Sequence, residues 1–174
     1  TTLKMVNRLI EPSSGEIYLH DQNAKSLNVV ELRRNIGYVI QTVGLMPHLT
    51  VAANIALVPQ LKGWSREKRQ ARVEELLAMV DMDPTLYADR YPAQLSGGQQ
   101  QRVGVLRALA ADPELILMDE PFGALDPITR EQLQLELKRL QARLKKTIIF
   151  VTHDMGEAML LADQIVIMKE GFVV

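Results

Sequence analysis

No cysteine occurs among the 174 residues. Disulfides and thiolate metal sites are therefore excluded, which fits a reducing compartment. No apolar run approaches the ~18 residues that a membrane-spanning helix needs, so the chain reads as soluble. No basic stretch followed by an apolar core and a small-residue cleavage site opens it, and no secretory leader is expected. Charge of neither sign is in excess. The 20 Lys and Arg against 21 Asp and Glu leave a formal net charge of -1, which supplies no field for a nucleic acid. Internal repeats and low-complexity segments are lacking too. One further absence bears on function: no G-x-x-x-x-G-K-[ST] phosphate loop occurs anywhere in the chain.

What is there begins with Leu95-Ser96-Gly97-Gly98-Gln99-Gln100, followed after a helical stretch by Leu115-Ile116-Leu117-Met118-Asp119-Glu120. The first run reads as a glycine-rich helix start. The second reads as a buried strand ending in two carboxylates. Together they describe half of a nucleoside-triphosphate site, one element for phosphate and one for magnesium and water.

The length suits one domain with a real core. Thr2 to Ile10 is expected to be helical, with Leu3, Val6, Leu9 and Ile10 on one side. Pro12-Ser13-Ser14-Gly15 makes a turn. Glu16–Leu19 and Ile36–Ile40 read as strands around a short polar helix from Val29 to Arg34. Thr50 to Ala110 is mostly helical, most clearly from Trp64 to Val80, and Asp83-Pro84 and Tyr91-Pro92 divide it. Gly98–Ala110 is a helix, Glu114–Met118 a strand, and Ile128–Leu144 an amphipathic helix with Leu133, Leu137, Leu140 and Leu144 as its stripe. Thr147–Val151 is a strand, Met155–Leu161 a helix and Gln164–Met168 a further strand. Apolar strands alternating with helices predict an α/β fold, a parallel sheet covered on both faces, with Thr50–Leu95 as a helical insertion beside it.

In an open parallel sheet, ligands bind at the carboxyl ends of the strands. Three strands deliver polar residues to that edge: Gln41, Asp119 with Glu120, and Thr152 with His153. Each residue alone has a structural explanation, and their convergence carries the argument. Asp119 suits magnesium held through water, since that ion dehydrates reluctantly. Glu120 suits general-base work on an attacking water, which typically contributes ~10²–10⁴ in rate. Ser96-x-x-Gln99 is a capping box, but two consecutive glycines also let backbone amides approach a phosphate. A neutral His153 can bond a terminal phosphate oxygen or the water. Asp126 before Pro127 is an N-cap. Met46, Met79, Met82, Met155 and Met159 are assigned to packing, and His20 and His48 to the surface.

Leu95 to Gln99 resembles the signature of the ATP-binding-cassette ATPases. Leu115–Pro121 is similar to their second acidic motif, Gly123-Ala124-Leu125-Asp126 to their D-loop, His153 to their switch histidine and Gln41 to their Q-loop glutamine. The motifs stand in the family's order from Gln41 to His153. The resemblance implies a P-loop NTPase (RecA-like) core formed by 1–43 and 99–174, with a helical subdomain over 44–98, and with the first strands and the glycine-lysine loop missing. It implies ATP and Mg2+ as ligands, with Glu120, His153 and Gln41 catalytic and Asp119 and Gln41 at the metal. Ser96, Gly97, Gly98 and Gln99 are implied to bind nucleotide across a dimer interface, and Asp126 to connect the two sites. Thr1 or Thr2 is implied as the magnesium-ligating residue behind the missing lysine, the choice staying open.

Lys4 to Pro12, Gln41 to His48 and Ala56-Leu57-Val58-Pro59 are similar to the glycine betaine/carnitine/choline class of importer ATPases. That likeness implies a second ATPase subunit (a homodimer), transmembrane permease subunits touched through Gln41 to Leu57, and a substrate-binding protein as an indirect partner. It places the protein peripherally on the cytoplasmic face of the plasma membrane, with no nucleic acid involved. An importer for another small solute and a catalytically silent dimerisation fragment are the rival expectations. A nucleic-acid-directed cassette would show a basic surface or an inserted arm, and neither is evident.

Overall fold

The computed structural model describes residues 2–42, 44–123 and 125–174. Thr1, Val43 and Ala124 lie outside the described residues, so the expectations for Thr1 and for Ala124 in its motif are not addressed by it. The chain runs through α1 (Thr2–Val6), β1 (Tyr18–Leu19), β2 (Gln22–Asn23), α2 (Val29–Asn35), β3 (Ile36–Val39), α3 (Val51–Leu61), α4 (Arg66–Met79), α5 (Pro84–Tyr87) and α6 (Gly97–Leu109). It continues through β4 (Leu115–Asp119), α7 (Pro127–Leu144), β5 (Thr147–Val151), α8 (Met155–Leu161), β6 (Met168–Lys169) and β7 (Phe172–Val173). The fold is α/β, as the alternation of elements predicts.

The central sheet has the order β3-β4-β5. Both pairings are parallel, with Val39 opposite Met118 and Asp119 opposite Val151. Parallel neighbours need crossovers: α3 to α6 provide the first, α7 the second. Ile116, Leu117 and Met118 of the middle strand are wholly buried. A single apolar cluster joins Val39 and Met118 to Ile55 of α3, Leu76 of α4, Val103 and Leu106 of α6, and Leu133, Leu137 and Leu140 of α7. The stripe predicted for α7 is thus its buried face.

Helix starts follow local chemistry. Asn28, Thr50, Ser65, Asp83, Ser96, Asp126 and Asp154 each accept a backbone N–H at an N-cap, which satisfies donors that a helix leaves open. The loop after β3 is stitched down by Asn54, which is wholly buried. Its Oδ1 accepts the Met46 N–H at 2.8 Å, and its Nδ2 donates to the carbonyls of Met46, Leu49 and Thr50 at 3.0–3.1 Å.

Four expectations are corrected. The first helix stops at Val6, not Ile10. Arg8 takes a φ of +54°, while Leu9 N–H reaches Lys4 O and Arg8 N–H reaches Met5 O, a Schellman closure. Leu9 and Ile10 are left exposed. The strand at Glu16–Leu19 shrinks to two residues in an antiparallel hairpin with β2, around His20 and Asp21, both at positive φ. Gln164–Met168 does not join the parallel sheet. Met168–Lys169 pairs instead with Phe172–Val173 around Glu170-Gly171, again a two-residue turn with both φ positive, as a primed hairpin requires. Finally, the cover on the second face stops short of β5: the middle strand is buried on both faces, and Ile148 and Phe150 pack on the core, but Ile149 and Val151 of β5 are 40% and 38% exposed.

Candidate active site

The carboxyl edge of the sheet brings three sequence-predicted residues together. Gln41 follows β3, Glu120 follows β4 and His153 follows β5. Gln41 Nε2 donates to Glu120 Oε2 at 3.3 Å. His153 Nδ1 lies 3.3 Å from the same oxygen. Glu120 extends the ladder by one bond, its N–H donating to Val151 O at 2.9 Å. It then leaves the strand with a φ of +45°, a conformation that costs a residue with a Cβ of order 1–3 kcal/mol and tends to cluster at functional sites. Gly123 N–H closes the turn on Glu120 O at 3.1 Å. The His153 side chain is 76% exposed and that of Glu120 31%, so the cluster opens to solvent and a ligand can reach it.

Asp119 ends β4 and does not share these bonds. Burial, and then the negative charge of Asp119, push the Tyr38 phenol upward. No group of three or more His, Cys, Asp or Glu able to hold a metal occurs among the described residues. One carboxylate with water and phosphate oxygens is a donor set that magnesium takes; Asp119 offers a carboxylate of that kind, and no hydrogen bond described joins it to Gln41. Thr2 is exposed in α1.

A second cluster forms where α6 and α7 begin. Ser96 Oγ accepts the Gln99 N–H at 3.3 Å, and Gln99 Oε1 accepts the Ser96 N–H at 3.0 Å. Gln99 Nε2 donates to the Tyr87 hydroxyl at 3.2 Å. The capping box is therefore real, and the Gln99 side chain is engaged in it. Gly97 faces open space, whereas a Cβ on Gly98 would meet Thr129 Cγ2 at 2.5 Å. The two helices are clamped by Arg102, whose Nε and Nη2 donate to Glu136 at 2.8 and 2.6 Å. This holds the amide-rich start of α6 beside Asp126, the N-cap of α7. Asp126 accepts the Thr129 N–H at 3.1 Å. Hydrogen bonds from the Thr129 hydroxyl and backbone hold its carboxyl below the usual range. No hydrogen bond or ion pair described here joins Ser96–Gln99 to Gln41, Glu120 and His153. The described residues thus form two candidate half-sites, one of Gln41, Glu120 and His153 at the strand ends and one at the starts of α6 and α7.

Sequence reasoning passed over Thr129, Gln134 and Glu157. Glu157 was legible as the acid of an Asp154-x-x-Glu157 helix start, but only the fold turns it inward. The loop residues Leu45, Met46 and Leu49 also differ from one another. Leu45 packs partly on the core, while Met46 is 41% exposed.

The ABC transporter family profile matches residues 1–123. The chain is 66% identical, over its whole length, to the glycine betaine/carnitine/choline transport ATP-binding protein of Bacillus subtilis, of which it covers 46%. It is 58% identical to the glycine betaine uptake system ATP-binding protein of Escherichia coli, covering 56% of it. The chain thus spans about half the length of the curated relatives it matches. A dimeric ATP-binding cassette in a post-hydrolysis state, bound to ADP and Pi, superimposes with a TM-score of 0.78 at 38% identity, covering 91% of this chain and 71% of that one. With this fold, and with motifs in this order at the sheet edge and the helix starts, the chain belongs to the ABC transporter family.

Proposed function

We propose that the chain is the catalytic part of an ATP-hydrolysing importer subunit, and that the complete protein drives uptake of an osmoprotectant such as glycine betaine, choline or carnitine. The observation that carries the ATPase reading is the meeting of Gln41 and His153 on one oxygen of Glu120. In this reading Glu120 takes the proton of the attacking water. Gln41 and His153, each within reach of that carboxylate, orient the water and bond the terminal phosphate. Asp119 and the Gln41 amide oxygen hold Mg2+, with Thr1 or Thr2 as a further ligand. The ion supplies charge neutralisation at the phosphates.

At the α6 start the Gly97 and Gly98 amides have no hydrogen bond among those described, and the helix dipole there favours an anion. Ser96, Gly97 and Gly98 therefore bind the nucleotide held by a second ATPase subunit, with Gln99 supporting them as the cap and Asp126 linking the two sites. The separation of the two half-sites on one chain favours this shared arrangement in a homodimer. Residues 44–98 act as the helical subdomain beside a core of 1–43 and 99–174, and carry the contact to transmembrane permease subunits. The substrate-binding protein is reached only through those subunits. No helix among the described residues is long and apolar enough to cross a membrane, in keeping with a peripheral place on the cytoplasmic face.

The test is Glu120→Gln in the complete protein. It keeps the shape but cannot take a proton, so ATP binding persists while hydrolysis falls by at least ~10². The ATP-bound protein then accumulates as a dimer on size exclusion. Near wild-type turnover would remove Glu120 from the mechanism.

A further inference from the structure

Outside the Glu120 cluster lies one buried carboxylate with a partner on each oxygen. Glu157, in the first turn of α8, is 6% exposed. Its Oε2 accepts the Thr152 hydroxyl at 2.6 Å. Its Oε1 accepts Nε2 of Gln134, itself 8% exposed on α7, at 3.0 Å. The Thr152 oxygen also accepts the Asp154 N–H at 2.9 Å. Asp154 Oδ1 in turn caps α8, accepting the N–H groups of Gly156 and Glu157 at 2.7 and 3.2 Å. Thr152 and Asp154 flank His153. Both are fixed by one network, whereas the exposed His153 ring meets only Glu120 among the polar contacts described.

A buried carboxylate is costly unless its oxygens are bonded, and removing one partner costs more than an exposed bond would. Both donors to Glu157 matter in that sense, and they come from different elements. A further contact joins the same two helices nearer the start of α7: Arg130 Nη1 lies 4.0 Å from Asp154 Oδ2.

The geometry points to Glu157 as a positioning residue. It fixes the turn from Thr152 to Asp154, and so the place of His153 relative to Glu120. Through Gln134 it ties that place to α7, the helix that begins at Asp126. A shift at the start of α7 then reaches His153 by a route that does not pass through Glu120. This rests on the ATPase reading above.

The experiment uses the complete protein with Thr152→Val, Thr152→Ser and Glu157→Gln, each alone and with His153→Ala. Valine keeps the branched shape and loses the hydroxyl; serine keeps the hydroxyl. Thr152→Val and Glu157→Gln are expected to lower kcat about tenfold, with KM for ATP within about twofold and Thr152→Ser near wild type, the signature of lost transition-state rather than ground-state interaction. In the His153→Ala background neither is expected to cost more, because residues acting through one another are non-additive. Amide exchange over 152–157 is expected to quicken by more than any fall in global stability accounts for, with the sheet amides of β3 and β4 as the reference. Equal fold-losses in both backgrounds, or an unchanged kcat in Thr152→Val, would overturn the positioning role. A wild-type protein without ATP turnover would overturn the ATPase reading and the catalytic half of this one. The exchange measurement still decides the tether: unchanged exchange over 152–157 in both variants refutes it.

Discussion

At Gly98 the start of α6 comes so close to α7 that a methyl group would have to displace Thr129 Cγ2, 2.5 Å away. The glycine is needed for helix packing as well as for any anion. Gly98→Ala is therefore expected to destabilise the fold by about 1–3 kcal/mol, the usual cost of overpacking. Adding Thr129→Ser, which deletes the obstructing methyl, should restore most of it. Denaturant unfolding of the single and double variants checks this. A Gly98→Ala protein of wild-type stability would leave nucleotide approach as the sole reason for the glycine. Gly97, which faces open space, carries no such demand, so the two adjacent glycines separate experimentally.

The elements show which local signals survive folding. The readings of α2, α4, α6, α7, α8, β3, β4 and β5 agree with the structure to within a residue or two at their ends, because caps and periodicity are local. Gln164–Met168 misled because its apolar run satisfies the strand pattern, while Glu170-Gly171 offers Met168 a nearer partner than any parallel neighbour. The first helix misled for a related reason: Leu9 and Ile10 continue the apolar stripe past a left-handed Arg8 that no pattern of hydrophobicity registers. Of the site, Gln41, Glu120 and His153 were legible as strand ends, and their shared oxygen was not, since it depends on the turn at Glu120. The buried placement of Glu157 was hidden for a different reason, being set by how α7 and α8 pack.

One element carries its own pH test. Asp126 caps α7, and the Thr129 hydroxyl and backbone amide hold its carboxyl below the ordinary range. A depressed folded pKa means the cap's contribution is complete above the unfolded value and is lost as pH falls through the folded one. Asp126→Asn keeps a good capping oxygen without a titrating group. The thermal midpoint of the wild type is thus expected to fall more than that of Asp126→Asn between about pH 6 and about pH 3. Parallel profiles would count against the assignment.

The molecule as a whole has a main core cluster, further buried residues outside it at Leu3, Ala24, Leu32 and Leu117, and a loop exposed at Met46. Leu45 packs inward, so a charge there would damage the fold, whereas Met46 is exposed and, in the importer reading proposed above, is the residue offered to the permease. Met46→Asp in the complete protein is expected to reduce uptake of labelled glycine betaine at high osmolarity while ATP hydrolysis by the isolated subunit stays near wild type. Loss of a different solute on deleting the gene, with betaine, choline and carnitine uptake unchanged, would keep the ATPase and overturn the substrate. The Asn54 stitching gives this loop its mechanical character. Asn54 fastens it to α3, and Arg107 Nη1, which donates to Gly44 O at 2.7 Å, fastens it to the last turn of α6. A lever with two bearings has little compliance of its own, so in the importer reading a load at Met46 would be passed on as displacement instead of being absorbed as bending. One bearing, at Arg107, sits roughly 16 Å along α6 from Ser96 at 1.5 Å per residue, so in the proposed reading α6 would serve as a push-rod of fixed stroke between this loop and Ser96.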